Sequence, residues 1–348
     1  MHTPISTDPS TEPTPADHAA PWRMPAAVAR TYGTGEVVEL TEIDVPVPGE
    51  GEVLVEVKAA SLNALDWHFL TGTPYLLRIQ NGLRRPKRVV HGADIAGRVV
   101  ALGTDVDSVA VGDEVIAEAN GGGCAPYAVV KTKYLVPKPS SVTFQDAAAV
   151  PVAGLTALQG LRTHGDVQPG DRVLINGAAG GVGTFAVQIA KALGAHVTAV
   201  CSGRNLEMVR ALGADVVVDY ETEDVTVGGP RFDVMLDNVG NHSPKQAISM
   251  LEPGARFVLV SGPKDGNWLG PIAHMIQASF AFRRVEPSFH QFMADPNHED
   301  LTTLSEWLAV GTIVPQIDRV IGLDGVAAAL DELGTGHARA KIVVEPQR

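Results

Sequence analysis

The chain reads as an α/β protein, with an antiparallel β-rich domain followed by a doubly wound parallel sheet. Three observations predict this. Residues 172–183, RVLINGAAGGVG, run from a β-branched stretch into glycines and on into the helical pattern TFAVQIAKALG. Short strands and helical segments then alternate through HVTAVC (196–201), Arg204–Leu212, VVVDY (216–220) and FDVMLDNVG (232–240), the succession a parallel sheet requires. Upstream, VLVEVKAA, GRVVALG, DEVIAEA and YAVVKTKYLVPKP are broken by Gly, Pro and Asp at hairpin-like spacing.

Taken in order, residues 1–21 are rich in Pro, Thr, Ser and Asp and have almost nothing to bury, so they read as a disordered tail that includes His2 and His18. Residues 22–150 form the β-rich domain. A helical run from Val142 to about Arg162 bridges into the nucleotide-binding domain, 151–289. Residues 290–348 contain the helical segments LTTLSEWLAVG and GVAAALDELGTG and a closing strand, AKIVVEP, expected to return to the first domain.

The glycine turn carries the chemistry. Glycine permits a tight turn and close backbone approach to a pyrophosphate, and the helix that follows offers unpaired N–H groups and a positive dipole end. Gly177, Ala178, Ala179, Gly180, Gly181, Val182 and Gly183 are therefore expected to line a dinucleotide. At the end of the second strand an NAD-binding fold usually carries an acid for the adenosine ribose. Here the residues are Cys201-Ser202-Gly203-Arg204, and Asp215 and Asp219 lie well beyond them. A hydroxyl and a guanidinium suit a 2′-phosphate, so Ser202 and Arg204 favour NADPH. Asn238, Val239, Ser261 and Gly262 end later strands on the same carboxyl edge, where ligands bind in such sheets.

Composition narrows the classes. The formal charge of −13 argues against nucleic acid or an anionic membrane as partner, because both ask for a basic face. Apolar runs are short and interrupted, and no basic segment precedes an apolar one at the start, so neither a membrane span nor a signal peptide is expected. Two cysteines, Cys124 and Cys201, are too few for a disulfide framework or a four-thiolate zinc site. A cytoplasmic protein with a small-molecule substrate is expected.

Several motifs in sequence resemble the medium-chain dehydrogenase/reductase superfamily, in its zinc-free quinone oxidoreductase-like branch. They are SLNALDWHFLTGTPY (61–75), HGADIAGRVVALG (91–103), VGDEV (111–115), AAAVPVAGLTAL (147–158), NGAAGGVG (176–183), GADVVVDY (213–220), LDNVG (236–240) and GHARAKIVV (336–344). The resemblance implies a GroES-like catalytic domain against a Rossmann domain, usually as a homodimer. Where zinc-dependent members carry the catalytic metal ligands, this chain has Asn63, Ala93 and Val152, none of which supplies sulfur or imidazole. No metal is expected.

Without a Lewis acid, hydride addition to a conjugated acceptor is favoured over alcohol oxidation. The expectation is an NADPH-dependent reductase of quinones or of enones and enals. An enoyl-thioester or secondary-metabolite reductase is the nearest alternative, and a non-catalytic NADPH-binding sensor or structural protein the alternative of another class. By resemblance, Asn63, His68 and Tyr75 lie on the loop at the nicotinamide end as catalytic candidates, with Asp66 as a structural acceptor. Thr156 would face the nicotinamide amide, Tyr220 the adenosine, and Lys341 the cofactor. Trp67, Phe69 and the stretch Met275–Phe289 are candidates for an apolar substrate wall.

Overall fold

A computed structural model describes residues 22–261, 270–283 and 285–348, and for 270–275 the backbone alone. The tail assigned to residues 1–21 and the site candidate Gly262 lie outside the described residues.

Alternation of apolar and polar residues builds the first sheet. Strands β1 (Arg23–Ala29) and β2 (Val38–Asp44) pair antiparallel. The long β3 (Glu52–Leu62) is followed by helices α1 (Ala64–Thr71) and α2 (Leu77–Asn81), then by β4 (Asp94–Leu102), β5 (Glu114–Glu118), β6 (Tyr127–Lys131) and β7 (Leu135–Pro137). β3 pairs with β4 and β6, β4 with β5, and β5 with β7, all antiparallel. The expected single run YAVVKTKYLVPKP is divided into β6 and β7 by a turn of 3-10 helix at Thr132–Tyr134.

The expected helix over 142–162 is also divided, into α3 (Phe144–Ala148) and α4 (Pro151–Leu158), with a wider helical turn over Gln159–His164. Pro151 is the reason. Its ring excludes the carbonyl four residues earlier and it has no N–H to donate, so it ends one helix and suits the first turn of the next.

Then come β8 (Arg172–Asn176), α5 (Gly181–Ala192), β9 (His196–Cys201), α6 (Leu206–Ala211), β10 (Val216–Asp219), β11 (Phe232–Asp237), α7 (Pro244–Ser249), β12 (Leu251–Leu259), α8 (Gly270–Phe282) and β13 (Ser288–Gln291). These strands form a parallel sheet in the order β10-β9-β8-β11-β12-β13. Period-two alternation sends Val173 and Ile175 to one face, with Phe185 and Ile189 of α5, and Leu174 to the other, with Phe257 and Phe282.

After α9 (His298–Ala309), β14 (Ile317–Ile321) leads through α10 (Val326–Thr335) to β15 (Lys341–Val344). β15 pairs antiparallel with β3, giving the order β14-β15-β3-β4-β5-β7 with β6 also on β3. One core cluster spans both sheets, joining Ala96 and Ile116 to Leu155, Ile175 and Phe185. The two sheets are therefore joined through packed elements rather than by a linker.

Candidate active site

At the carboxyl edge of the parallel sheet the backbone does the shaping. Gly177 has φ 78°, and a Cβ there would come within 2.7 Å of Val239 Cγ2. At Gly183 a Cβ would meet the Gly177 carbonyl oxygen at 2.1 Å, so the turn closes only over glycine. Gly180 caps α5, whose first-turn N–H groups are the unpaired donors any helix start presents. Ala178 and Ala179 are buried and Val182 is half-buried. The Ala340 N–H donates to Ala179 O at 2.8 Å, which ties the turn to the chain entering β15.

The strand ends beside this turn carry amides. Asn176 Nδ2 donates to Asp237 Oδ1 and to Asn241 Oδ1, each at 2.8 Å. Asn238 Nδ2 donates to Asn176 O at 3.0 Å, while its buried Oδ1 has no hydrogen-bond partner among the described residues. Asn205 Oδ1, after β9, is orphaned in the same way, although its Nδ2 donates to Ser202 Oγ at 3.0 Å. Buried polar atoms are rarely left unpaired, so these two acceptors fit a ligand that brings donors, such as a dinucleotide's hydroxyl and amide groups. Val239 is exposed and Ser261 half-buried on that edge.

Arg204 is exposed and donates to His337 O at 3.0 Å, and Tyr220 is likewise exposed. One residue set aside on sequence distance comes back: Asp219 pairs in register with Cys201, and its Oδ2 lies 2.6 Å from where a Cβ on Gly203 would sit. Parallel pairing brings the ends of successive strands together, so distance along the chain was the wrong measure. A carboxylate does stand at the end of β9, supplied by β10.

The opposite wall is built by side chains. Asp94, fully buried, accepts from Ser61 Oγ at 2.9 Å, Asn63 Nδ2 at 2.9 Å and the Val152 N–H at 2.9 Å, and pairs with Lys341 Nζ at 3.2 Å. Lys341 Nζ also donates to Asn63 Oδ1, and its Cδ lies 3.1 Å from where a Cβ on Gly181 would sit. This lysine thus joins the wall to the glycine turn. Thr156 turns its hydroxyl back to Val152 O at 2.7 Å.

Asp66 receives the Asn63 N–H and the Gly92 N–H, both at 2.8 Å, and so fixes the start of α1 to the chain entering β4. Burial pushes its carboxyl up to about 6, against the pull of those two N–H groups. His68 Nδ1 donates to Thr73 O at 2.7 Å. Tyr75 lies under the Arg78 guanidinium, 4.4 Å from its ring centroid. Arg88 covers Phe69 at 4.0 Å.

Of three further groups on this wall, Glu118 was not found by reading the sequence, while His91 and Cys124 were seen there and given no site role. His91 is buried, and burial with the nearby Arg88 holds its imidazole down at about 4. Cys124 is buried with its thiol raised well above the usual range by that burial. Glu118 is half-buried, and burial together with Asp94 pushes its carboxyl up to about 8. The available signal was an acid inside an apolar strand, VIAEA, which becomes meaningful only when Glu118 is paired with Asp94.

The apolar candidates separate. Trp67 packs on Gly334 of α10, and Phe282 and Phe289 pack with Phe257 at ring distances of 5.3 and 5.8 Å, so these rings belong to the cores. The Met275 side chain lies outside the described residues. Among the described residues no helix is long and apolar enough to cross a membrane, and no three His, Cys, Asp or Glu side chains are grouped to hold a metal ion. The metal-ligand positions converge nonetheless, since Asp94 binds both Asn63 and the Val152 N–H and follows Ala93 in the chain.

Residues 49–140 match the family described as alcohol dehydrogenase GroES-like domain, and 212–344 the family described as zinc-binding dehydrogenase. The chain is 32% identical to the chloroplastic quinone-oxidoreductase QR1 of Triphysaria versicolor, covering 90% of this chain and 96% of that one. It is 34% identical to the trans-enoyl reductase pgmF of Aspergillus terreus, covering 85% and 87%. The quinone oxidoreductase structure from Coxiella burnetii superposes with a TM-score of 0.82 at 29% identity, over 93% of this chain and 99% of the other. These comparisons correct the expectation of a cytoplasmic protein. Similar proteins are named chloroplastic in plants and mitochondrial in Bos taurus, so the composition argument for the cytoplasm fails.

Proposed function

Because this chain belongs to the medium-chain dehydrogenase/reductase superfamily, in its zinc-independent quinone oxidoreductase-like branch, we propose that it reduces a quinone or an α,β-unsaturated carbonyl with NADPH. The observation that carries this reading is Lys341. Its stem lies beside Gly181 and its ammonium holds Asn63 and Asp94, which supports a reading in which coenzyme and acceptor bind on adjoining surfaces. The positions that would ligate zinc hold Asn63, Ala93 and Val152, a set suited to hydrogen bonding and packing but not to Lewis-acid chemistry.

When bound, the reduced nicotinamide supplies a hydride. The chain's own residues hold and orient. Backbone amides from Gly177 to Gly183 would face the diphosphate, with the Lys341 stem beside Gly181. Ser202 and Arg204 would hold the 2′-phosphate, and Tyr220 would contact the adenosine. Asn238, Val239 and Ser261 border the nicotinamide half, where the orphaned Asn238 Oδ1 accepts a donor. Thr156 and Asn63 orient the amide and ribose, while His68 and Tyr75 line the mouth of the acceptor pocket. A homodimer belongs to the same reading, and it is supported by β13, which stands at an edge of the parallel sheet.

Asp219 beside Gly203 favours a second reading, NADH held through its ribose hydroxyls. Coenzyme consumption against a panel of quinones, enones and an enoyl thioester, with NADPH and NADH in parallel, tests both. Arg204→Glu is expected to weaken NADPH at least about tenfold while leaving NADH nearly unchanged, as loss of a charge-assisted phosphate contact requires. Equal losses for the two coenzymes would remove the phosphate assignment. Tight NADPH binding with no acceptor turned over would leave a binding protein.

A further inference from the structure

Between Asp66 and Asp94 the chain has no acidic residue, yet Arg78, Arg84, Arg85, Lys87 and Arg88 all fall there, in a protein whose formal charge is −13. The same stretch exposes its apolar side chains. Leu76, Ile79 and Leu83 are 59%, 65% and 72% exposed, beside the exposed Arg84, Arg85 and Lys87. Leu76 and Ile79 stand three positions apart on the turn that opens α2, where the Ile79 N–H donates to Leu76 O at 3.1 Å, so they share one face. No ion pair among the described residues involves Arg84, Arg85 or Lys87.

Polar contacts hold this face outward. The Arg78 guanidinium lies over the rings of Tyr32 and Tyr75, 4.3 and 4.4 Å from their centroids, and donates to Gly72 O at 3.0 Å and to Thr71 O at 3.1 Å. Tyr32 Oη donates to Gly82 O at 2.5 Å. The buried Asn81 accepts the Arg88 N–H on its side chain at 3.2 Å and the Lys87 N–H on its carbonyl oxygen at 2.6 Å, which closes the chain around Leu83, Arg84 and Arg85. A loop braced in this way cannot fold its leucines inward. Contiguous apolar side chains held in solvent and rimmed by charge mark an interaction surface.

We propose that this face docks the protein on a lipid bilayer bearing anionic headgroups. Leu76, Ile79 and Leu83 enter the boundary between headgroups and acyl chains, while Arg84, Arg85 and Lys87 meet the phosphates, as in other interfacial anchors. Total charge opposes an anionic surface only at long range. In physiological salt a charge is felt over about 8 Å, so at contact the bilayer meets the acid-free stretch and not the acids elsewhere on the chain. An uncharged apolar partner leaves the three cations unused, and a nucleic acid leaves the three aliphatic side chains unused. Docking stands apart from the reductase reading. Joined to that reading it names a source of substrate, because Arg78 ties α2 to the loop that carries His68 and Tyr75, and apolar quinones dissolve in bilayers.

Flotation of the full chain with vesicles of phosphatidylcholine, alone or with about 30% phosphatidylserine, tests this. Binding is expected to the anionic vesicles and not to the neutral ones, and it should weaken steeply between about 0.05 and 0.5 M salt. Arg84→Gln, Arg85→Gln and Lys87→Gln together should weaken it at least about 30-fold, since each cation near such a surface contributes about fivefold. Leu76→Ser, Ile79→Ser and Leu83→Ser together should weaken it at least about tenfold. Both sets change exposed side chains, so thermal unfolding should match wild type. Wild-type protein that stays off the anionic vesicles in low salt, or either set floating as wild type does, overturns the proposal. So does a molecular mass in solution that falls in the serine set without any vesicle binding, which would give the face to a second copy of the chain. With a long-chain quinone dissolved in the anionic vesicles, the glutamine set should raise KM at least about tenfold and leave a water-soluble quinone unaffected. An unchanged KM overturns the supply of substrate from the bilayer, whereas docking with no quinone reduced refutes the reductase reading and leaves the docking surface standing.

Discussion

The carboxyl edge of the parallel sheet and the facing wall of the crevice are made by opposite means. On the edge, Gly177 and Gly183 let one stretch of backbone fold against itself, and the groups proposed to face the coenzyme are amides that every residue possesses. On the wall, Ser61, Asn63, Asp66, Arg88, Asp94, Glu118 and Lys341 are drawn from four strands, a helix with its cap and the segment before β4, and each matters for its side chain. A site made of backbone survives many substitutions outside its glycines. One made of buried charge depends on every partner.

The sharpest way to break this contrast is to remove the wall's central acid. Asp94→Ala leaves the ammonium of Lys341, which is 2% exposed, without its ion-pair partner, and strips Asn63, Ser61 and the Val152 N–H of their acceptor. Breaking a buried pair in this way costs about 3–5 kcal/mol, whereas replacing both members by apolar residues is often neutral. Urea unfolding should show that loss for Asp94→Ala, and only partial recovery in Asp94→Leu combined with Lys341→Met, because Ser61, Asn63 and the Val152 N–H still lack their acceptor. A single variant within about 1 kcal/mol of wild type would mean that the wall is held by something else.

The wall should also answer to pH. Glu118 has its folded pKa raised from 4.5 to about 8, so the folded state favours the protonated carboxyl. Its stability contribution is whole below 4.5 and is lost as pH rises through 8. Glu118→Gln cannot ionise, so it should match wild type near pH 4.5 and exceed it above pH 8, by on the order of 3 kcal/mol. His91 runs the other way. Its folded pKa is depressed from 6.5 to about 4, and its contribution is present above 6.5 and lost as pH falls through 4. Wild-type and Glu118→Gln curves that stay parallel from pH 4.5 to 9 would show that Glu118 titrates as if in water.

This contrast also explains what could be read from the chain alone. The order of strands, the glycine turn and the helix after it follow from periodicity and from residues adjacent in sequence. Pro151 was visible as well, yet its splitting of the helical run was missed because the surrounding AAAVPVAGLTAL is apolar throughout. The wall is different. Asp94 and Lys341 are 247 positions apart, and neither declares in its own neighbourhood that the other is its partner. Asp219 teaches the same lesson at smaller range, since strand pairing, invisible in a string, brings it beside Gly203. His68 carries a further lesson. Its Nδ1 bonds Thr73 O, a contact set by the local course of the loop that its place in a motif does not show.

Within the glycine turn itself the contrast narrows to two neighbouring positions, and here the expected effects are smaller. Gly183→Ala places a Cβ 2.1 Å from Gly177 O and 2.6 Å from Ala178 Cα, both backbone atoms that cannot swing away. Overpacking of this kind costs about 1–3 kcal/mol, and the same displacement should weaken coenzyme binding by opening the turn. Gly180→Ala meets only Gly177 O, at 3.7 Å, and φ there is −80°, a conformation alanine adopts freely. Its stability should change by less than about 0.5 kcal/mol. Thermal unfolding with and without NADPH separates the two. If Gly180→Ala loses the coenzyme-induced rise in Tm while keeping its own stability, that glycine is needed for close approach of the diphosphate. If the rise is kept, Gly180 serves only as a helix cap and the cradle rests on Gly177 and Gly183.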